Sequence, residues 1–292
     1  MNKVFDFSER DKSENTIIKT WDDFRNSLAI GKFSFNQLDL ALKETFLKVF
    51  NDMFSINNTR MYFTTSITNL ISLRLKFCRG AKIAYNEKVD YNRFIPNAHY
   101  ITEDNRFSPP RVEWLYLAMQ ESSKTSSSSV EECCIKECHA QSGDKFALCS
   151  FKLNDAFKGE NIVDLTISND YTYDGLNDAL EKYGQKYKTR CVNDFLFSNK
   201  PLDFRKEELK EEIKKWAAFT YAKLMSEQLF IPLNTSDKKL TYSPFQCLAQ
   251  YFISKGYKGI IYSSTVCQKA KNIVLFDKQL AKPVGYIKEI II

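Results

Sequence analysis

The sequence predicts an α+β protein, in which helical regions flank and interrupt a core of short strands. Apolar residues recur at helical spacing near the N-terminus, alternate with polar residues in several short stretches of the middle, and return to helical spacing beyond residue 172. We therefore expect a helical N-terminal segment over residues 1–70 and a main domain over residues 71–292. The main domain is expected to carry a helical insertion at about residues 172–240.

The helical regions follow from the spacing of their apolar residues. In the N-terminal segment Trp21, Phe24 and Leu28 stand three or four residues apart, as on one face of a helix. Within the insertion, alternating acidic and basic residues over 204–215 are typical of a solvated helix face. Further helices are predicted over 130–138, 216–229 and 244–254.

One predicted strand is marked by the turn that precedes it. Pro109 and Pro110 offer no backbone N–H and fix φ, so they end any helix or ladder. The strand that follows places Val112, Trp114, Tyr116 and Ala118 on one face and Leu115 and Leu117 on the other. Further strands are predicted over 78–83, 146–153, 161–167, 260–265 and 272–276.

The composition indicates a soluble protein with a large core. Of 292 residues, 43% are hydrophobic and 27% charged, and 42 basic residues against 36 acidic ones leave a net charge of only +6. No basic patch with interleaved aromatic residues is visible, so nucleic acid is not an expected partner. The N-terminus lacks the apolar run of a signal peptide, and no segment approaches the ~18 apolar residues of a membrane span. We expect a cytoplasmic protein with reduced thiols and no membrane contact.

Several common catalytic and binding motifs are absent from the sequence. It contains two histidines, and neither lies in a nucleophile motif. It has no phosphate-binding loop and no Gly-x-Gly-x-x-Gly run. Five potential zinc ligands lie close together in sequence, but without paired Cys-x2-Cys spacing. We predict no metal site and retain a zinc-dependent regulatory protein as an alternative. These five residues are Cys133, Cys134, Cys138, His139 and Cys149.

Four polar residues at the edges of apolar elements define a candidate site. Arg79 is predicted to end a strand, Arg106 lies in the rigid turn, Glu137 stands late on the short helix, and Ser264 ends another strand. Arginine pairs bidentately with phosphate oxygens. A carboxylate stabilises the positive charge that develops on a ribosyl carbon as its base departs. The set fits a pyrophosphate-bearing ligand with a ribose.

Five short motifs in a fixed order resemble those of RES-domain proteins, a family named after an arginine, a glutamate and a serine. The resemblance covers about residues 77–276, apart from the helical insertion. It implies a mixed-sheet fold related to ADP-ribosyltransferases. The motifs are Arg79-Gly80-Ala81-Lys82-Ile83, Asn105-Arg106-Phe107-Ser108-Pro109, Leu115-Tyr116-Leu117-Ala118, Cys134-Ile135-Lys136-Glu137, and Gly259-Ile260-Ile261-Tyr262-Ser263-Ser264 with Asn272-Ile273-Val274-Leu275-Phe276.

The resemblance also implies an activity, namely cleavage of NAD, as substrate, at the nicotinamide–ribose bond. Members of the family are NAD glycohydrolases, NAD phosphorylases or ADP-ribosyltransferases, and many are bacterial toxins paired with an Xre-type antitoxin. We expect an NAD-consuming toxin of this type, in which residues 71–292 form a RES-like NAD-binding domain. The alternative is a catalytically inactive RES-like binding module.

The resemblance assigns roles to individual residues. Arg79 and Arg106 are expected to hold the pyrophosphate, Tyr116 to line the nicotinamide side, Glu137 to be the family glutamate, and Ser264 to be its serine and a contact to NAD. Arg79, Glu137 and Ser264 are accordingly the expected catalytic residues.

Neighbouring residues leave the register of two assignments open. Glu131 and Glu132 are alternatives for the glutamate, and Ser263 and Thr265 are alternatives for the serine. Three weaker matches to the family pattern are expected to pack around the site. These are Gln246, Tyr262 and Asn272.

Overall fold

The computed structural model describes residues 10–55, 57–123, 125–229, 238–267 and 270–292. It confirms the α+β class. Its helices are α1 (Arg10–Ala29), α2 (Leu38–Ala41), α3 (Thr45–Phe54), α4 (Asn57–Tyr62), α5 (Ile67–Ser72), α6 (Ser128–Glu137), α7 (Tyr173–Ser198), α8 (Lys206–Leu229) and α9 (Lys238–Ser254). Its strands are β1 (Thr64–Ser66), β2 (Phe77–Lys82), β3 (Leu115–Gln120), β4 (Lys145–Leu153), β5 (Asn161–Asp164), β6 (Gly259–Ser263), β7 (Ala270–Leu275) and β8 (Ala281–Ile291).

The strands form one mixed sheet in the order β1-β5-β6-β7-β3-β2-β4-β8. The β5–β6 pair is parallel, and the other six neighbouring pairs are antiparallel. Strands distant in sequence become neighbours, since β7 pairs with β3 and β3 pairs with β2. This order brings the motifs around Arg79, Tyr116 and Asn272 onto three adjacent strands.

The two faces of the sheet have different covers, and the alternation of β3 reflects this. Leu115 and Leu117 belong to a core on one face, together with Phe77, Phe151 and Ile273. Tyr116 and Ala118 point to the opposite face, as expected from the period of two in a strand.

On that opposite face, two separate helical layers cover the sheet. One layer consists of α1, α3, α8 and α9, and its core includes Phe46, Tyr221 and Phe252. The other layer is α6, whose Val130 and Cys133 pack with residues of β2, β3 and β4. A gap between the two layers leaves part of the sheet open above β2, β3, β6 and β7.

The N-terminal helices complete the core around α9. Trp21 of α1 lies 5.1 Å from Phe46 of α3 and 5.2 Å from Phe245 of α9, between ring centroids. The expected helical segment over residues 1–70 is interrupted at β1, which pairs with β5 at the end of the sheet. Residues 1–9 of that segment lie outside the described residues.

The insertion consists largely of α7 and α8. Arg205, in the turn that joins them, pairs with Asp194 of α7 at 2.7 Å. The second half of α8 packs one face into the core, where Ala218, Tyr221 and Met225 are completely buried. Residues 230–237 of the predicted insertion lie outside the described residues. Within the described residues, no helix has both the length and the apolar character that a membrane crossing requires.

Gly80 lets α6 approach the sheet closely, and this contact places the end of α6. A Cβ added at Gly80 would lie 2.4 Å from Phe146 Cζ and 3.0 Å from Cys134 Cβ. We expect Gly80→Ala to lower the free energy of unfolding by about 1–3 kcal/mol, because overpacking forces the ring and the helix to shift. Urea denaturation measures this change.

The matched control for this substitution is Gly184→Ala. Gly184 lies inside α7 with nothing within 4 Å of its added Cβ. There alanine should raise the free energy of unfolding by about 0.5–1 kcal/mol, through helix propensity alone. Equal effects at the two glycines would show that the close approach of α6 has no energetic weight.

Candidate active site

The gap between α6 and the α9 layer is a cavity of about 520 Å³. Ligand pockets in proteins span roughly 300–1,000 Å³, so the cavity has the size of a small-molecule site. Its walls combine arginines, tyrosines, thiols and one helix-end glutamate. The lining residues are Cys78, Arg79, Gly80, Asp104, Asn105, Arg106, Tyr116, Leu117, Ala118, Cys134, Glu137, Cys138, His139, Tyr242, Tyr262, Thr265, Val266 and Asn272.

Arg79 projects from the sheet into the cavity. It is the third residue of β2 and lies opposite Cys149 of β4, so the expectation that it ends a strand is wrong. The pleat continues beyond it because β4 pairs with the whole length of β2. Its Nη1 donates to the carbonyl oxygen of Phe94 at 2.9 Å, which fixes the guanidinium. Burial lowers the pKa of Arg79 below its usual value, and the buried cation favours an anionic partner.

Arg106 is presented by a turn that α9 holds in place. The backbone N–H of Asn105 donates to the carbonyl of Ser108 at 2.9 Å. Gln246 of α9, 1% exposed, donates from Nε2 to Asp104 Oδ1 at 2.8 Å and to the carbonyl of Asn105 at 3.3 Å. The Arg106 guanidinium carbon lies 5.3 Å from the centre of the Phe245 ring, a cation–π contact. The turn before the two prolines is therefore fixed by α9, and it places the Arg106 cation against Phe245.

Tyr116 of β3 lines the cavity between β2, which carries Arg79, and the turn that carries Arg106. Its hydroxyl group lies 2.9 Å from Ser108 Oγ, which ties β3 to the turn that carries Arg106. Burial raises the pKa of Tyr116 well above its usual value, so the phenol stays neutral. Its role is that of an uncharged aromatic wall.

Glu137 is the last residue of α6, and its carboxylate receives two hydrogen bonds. Ser264 Oγ donates to Oε1 at 2.8 Å, and Asn272 Nδ2 donates to the same oxygen at 2.5 Å. Glu131 and Glu132, one or two turns earlier, pair instead with Lys288 at 2.7 Å and Lys136 at 2.6 Å. Of the three glutamates, Glu137 is the one that lines the cavity.

Ser264 directly follows β6 and acts on Glu137. Its Oγ accepts hydrogen bonds from the backbone N–H groups of Cys267 at 2.9 Å and Val266 at 3.3 Å, while it donates to the carboxylate. The hydroxyl proton is thus directed at Glu137, an arrangement that orients the carboxylate. Ser263 accepts a hydrogen bond from Asn169 at 2.9 Å instead, and Thr265 lies in the cavity wall.

The five predicted site residues therefore come together. Arg79, Arg106, Tyr116 and Glu137 line one cavity, and Ser264 contacts Glu137. The weaker matches also lie here: Gln246 supports the Arg106 turn, Tyr262 packs 4.9 Å from Phe107 between ring centroids, and Asn272 holds Glu137.

Some lining residues were not anticipated. Tyr242 belongs to α9 near its start, where the sequence is polar and gives no sign of a cavity. Asp104 lies two residues before Arg106 in the turn, and no motif marks it as a cavity residue. His139, which the sequence suggests only as a potential zinc ligand, has a φ of 48°, a left-handed conformation that a non-glycine residue adopts infrequently.

The cysteines of the zinc hypothesis are packed among other side chains. Cys133, Cys134 and Cys149 are at most 4% exposed, and all are free thiols. Cys138 Sγ lies 3.4 Å from the carbonyl oxygen of Gly80. Among the residues that the structure describes, no group of three or more histidine, cysteine, aspartate or glutamate side chains is arranged to hold a metal ion.

The fold and the cavity define an α+β protein with a polar cavity whose walls carry two arginines, an aspartate and a glutamate. No family model matches the chain. No curated protein matches it either. Among solved structures, the chain is similar to one in the crystal structure of the M. tuberculosis MbcT–MbcA toxin–antitoxin complex, with a TM-score of 0.32 and 8% identity over 80% of this chain and 90% of that chain. A likeness this low carries no conclusion about activity.

Proposed function

We propose that this protein is an enzyme that cleaves NAD at the nicotinamide–ribose bond. One observation carries the proposal: Arg79, Arg106, Tyr116 and Glu137 line a single cavity, with Ser264 hydrogen-bonded to Glu137. Sequence motifs alone placed these residues in the order of RES-domain proteins, and the fold gathers them at one point.

The two arginines are assigned to the pyrophosphate of NAD. Their guanidinium groups present forked N–H donors that match phosphate oxygens, and Arg79 is held by Phe94 while Arg106 is held over Phe245. Groups that are fixed before binding lose little entropy when the ligand arrives. Tyr116 supplies a neutral aromatic surface for the nicotinamide end.

Glu137 is assigned to the bond that breaks. When the C–N bond between ribose and nicotinamide breaks, its electron pair leaves with nicotinamide, and the ribosyl carbon gains positive charge. A fixed carboxylate stabilises this oxocarbenium-like state. Water, phosphate or a nucleophilic protein side chain then forms the new bond to that carbon and gives up its proton. The reaction is accordingly hydrolysis, phosphorolysis or ADP-ribosyl transfer.

The biological role we propose is that of a toxin acting in the bacterial cytoplasm and neutralised by an antitoxin of the Xre type. The support for this role is the resemblance of the five motifs to RES-domain proteins. Depletion of NAD would explain toxicity, and a binding partner that closes the cavity would explain neutralisation.

The purified protein tests the proposal. It is incubated with NAD in buffer, in phosphate, and in a cell lysate, and nicotinamide release is followed by chromatography. We expect release in at least one condition, and a fall in cellular NAD when the protein is expressed in a bacterium. Binding of NAD without release under any condition would favour the inactive binding module instead.

A further inference from the structure

Asn272 makes a contact to Glu137 that its place in the sheet explains. It lies on β7 opposite Ala118 of β3 and Tyr262 of β6, so its side chain points to the cavity face. It is only 6% exposed. From this position Nδ2 reaches Glu137 Oε1 at 2.5 Å, across from the end of α6.

The other end of the same amide is held by a thiol. Cys133 Sγ donates to Asn272 Oδ1 at 3.6 Å, and Cys133 lies on α6 one turn before Glu137. Burial raises the pKa of Cys133 to about 12, so the sulfur keeps the proton that it donates. An amide has an acceptor end and a donor end, and the S–H donor of Cys133 favours the orientation in which the acceptor end faces it. The NH₂ group is thereby turned towards Glu137.

Rotation of the Asn272 amide by about 180° would replace the donor to Glu137 with an acceptor. With Oδ1 facing Glu137, two acceptors would meet at hydrogen-bond distance, and the carboxylate would lose a donor. Both observed donors, from Asn272 and Ser264, end on Oε1. The second oxygen, Oε2, is then the one available to a ligand in the cavity.

We propose that Asn272 and Cys133 are positioning residues for Glu137, with the thiol fixing the amide and the amide fixing the carboxylate. The inference rests on the proposed function for its catalytic consequence. Neither residue needs to touch NAD for this role. Their effect is to hold Glu137 in one orientation, so that it meets the developing charge without reorganisation.

Substitutions that change the donor while keeping the shape test this inference. Asn272→Leu keeps approximately the size of the side chain and removes the donor to Glu137, without adding a second carboxyl group beside that carboxylate as aspartate would. We expect kcat for nicotinamide release to fall by about 100-fold while KM for NAD changes less than about threefold, because orientation matters most in the transition state. Cys133→Ala should lower kcat by about 5- to 10-fold, since the amide loses the group that fixes its rotation.

Cys247→Ala is the matched control for the thiol. Cys247 is as buried as Cys133, at 0% exposed, and its pKa is likewise raised to about 12 by burial, but it lies in the core around α9. Both cysteine variants lose a buried thiol and should lose similar thermal stability, whereas Cys247→Ala should keep kcat. Equal loss of kcat in the two variants, or a loss that appears in KM alone, overturns the inference.

A structural readout separates this inference from the proposed function. Crystal structures of Asn272→Ala and Cys133→Ala should show the Glu137 carboxylate displaced or in more than one orientation. If the wild-type protein releases no nicotinamide, the proposed function fails, and these structures still decide the positioning role. A Glu137 carboxylate that keeps its place in both variants refutes it.

Discussion

Glu137→Gln is expected to lower kcat for nicotinamide release by on the order of 10² to 10³, with the dissociation constant for NAD changed by less than about threefold. Glutamine keeps the shape of the side chain, and its carbonyl oxygen can still accept from Ser264 and Asn272. What it lacks is the negative charge that stabilises the ribosyl cation. The loss should therefore fall on the chemical step, and single-turnover kinetics measures it.

Two carboxylates on the same helix are the controls for this prediction. Glu131→Gln and Glu132→Gln remove the same charge from α6, but these side chains pair with Lys288 and Lys136. Surface pairs of this kind contribute about 0–1 kcal/mol, so both variants should remain folded with rates within about twofold of wild type. A large loss at either residue with none at Glu137 would place the catalytic glutamate elsewhere on the helix.

Arg79→Lys is expected to raise KM for NAD by about 10- to 100-fold, which corresponds to about 1.4–2.8 kcal/mol of binding free energy. Lysine keeps the charge but loses the planar fork that contacts two phosphate oxygens. It also lacks the additional N–H groups with which Arg79 donates to the Phe94 carbonyl and still presents donors to the cavity. Calorimetric titration with ADP-ribose measures the same loss without turnover, since ADP-ribose retains the pyrophosphate.

Arg93→Lys is the control for a neighbouring arginine. Arg93 pairs with Glu87 at 3.1 Å and donates to the Lys82 carbonyl at 3.1 Å, and both contacts are exposed to solvent. Because Arg93 does not line the cavity, its substitution should leave KM within about twofold of wild type. Arg79→Lys with unchanged KM and unchanged ADP-ribose affinity would remove Arg79 from the binding site.

Sequence patterns predicted the strands that alternate strictly and the polar residues that flank them. The face assignment in β3 followed from the alternation of Leu115 and Leu117 with Tyr116 and Ala118, and the structure confirms it. A helix over 130–138 likewise followed from helical spacing, and α6 spans Ser128–Glu137. These are local properties, which depend on a few consecutive residues.

The elements whose position depends on contacts between distant residues were harder to predict from the sequence. β8 was missed because Lys282, Pro283 and Gly285 interrupt its alternation, and because the register of its pairing with β4 shifts between Leu148 and Ser150. β1 was missed because three residues are too few to show a period. The buried half of α8 lies within the apolar stretch 216–229, for which the sequence predicts a helix but not the helices that pack against it.

The site shows the same division between local and long-range information. The order of the motifs suggested five site residues, Arg79, Arg106, Tyr116, Glu137 and Ser264. The strand order that brings them together cannot be predicted from any single motif. The contacts of Asn272 with Glu137 and Cys133 span 135 and 139 residues. Such contacts emerge only when the strands are paired.

The most direct test of the central claim is a crystal structure of Glu137→Gln with bound NAD, since the variant should bind NAD without consuming it. The account predicts the pyrophosphate within hydrogen-bond distance of Arg79 and Arg106, and the nicotinamide ribose beside residue 137. NAD bound outside this cavity, or a cavity that stays empty at saturating NAD, would contradict it.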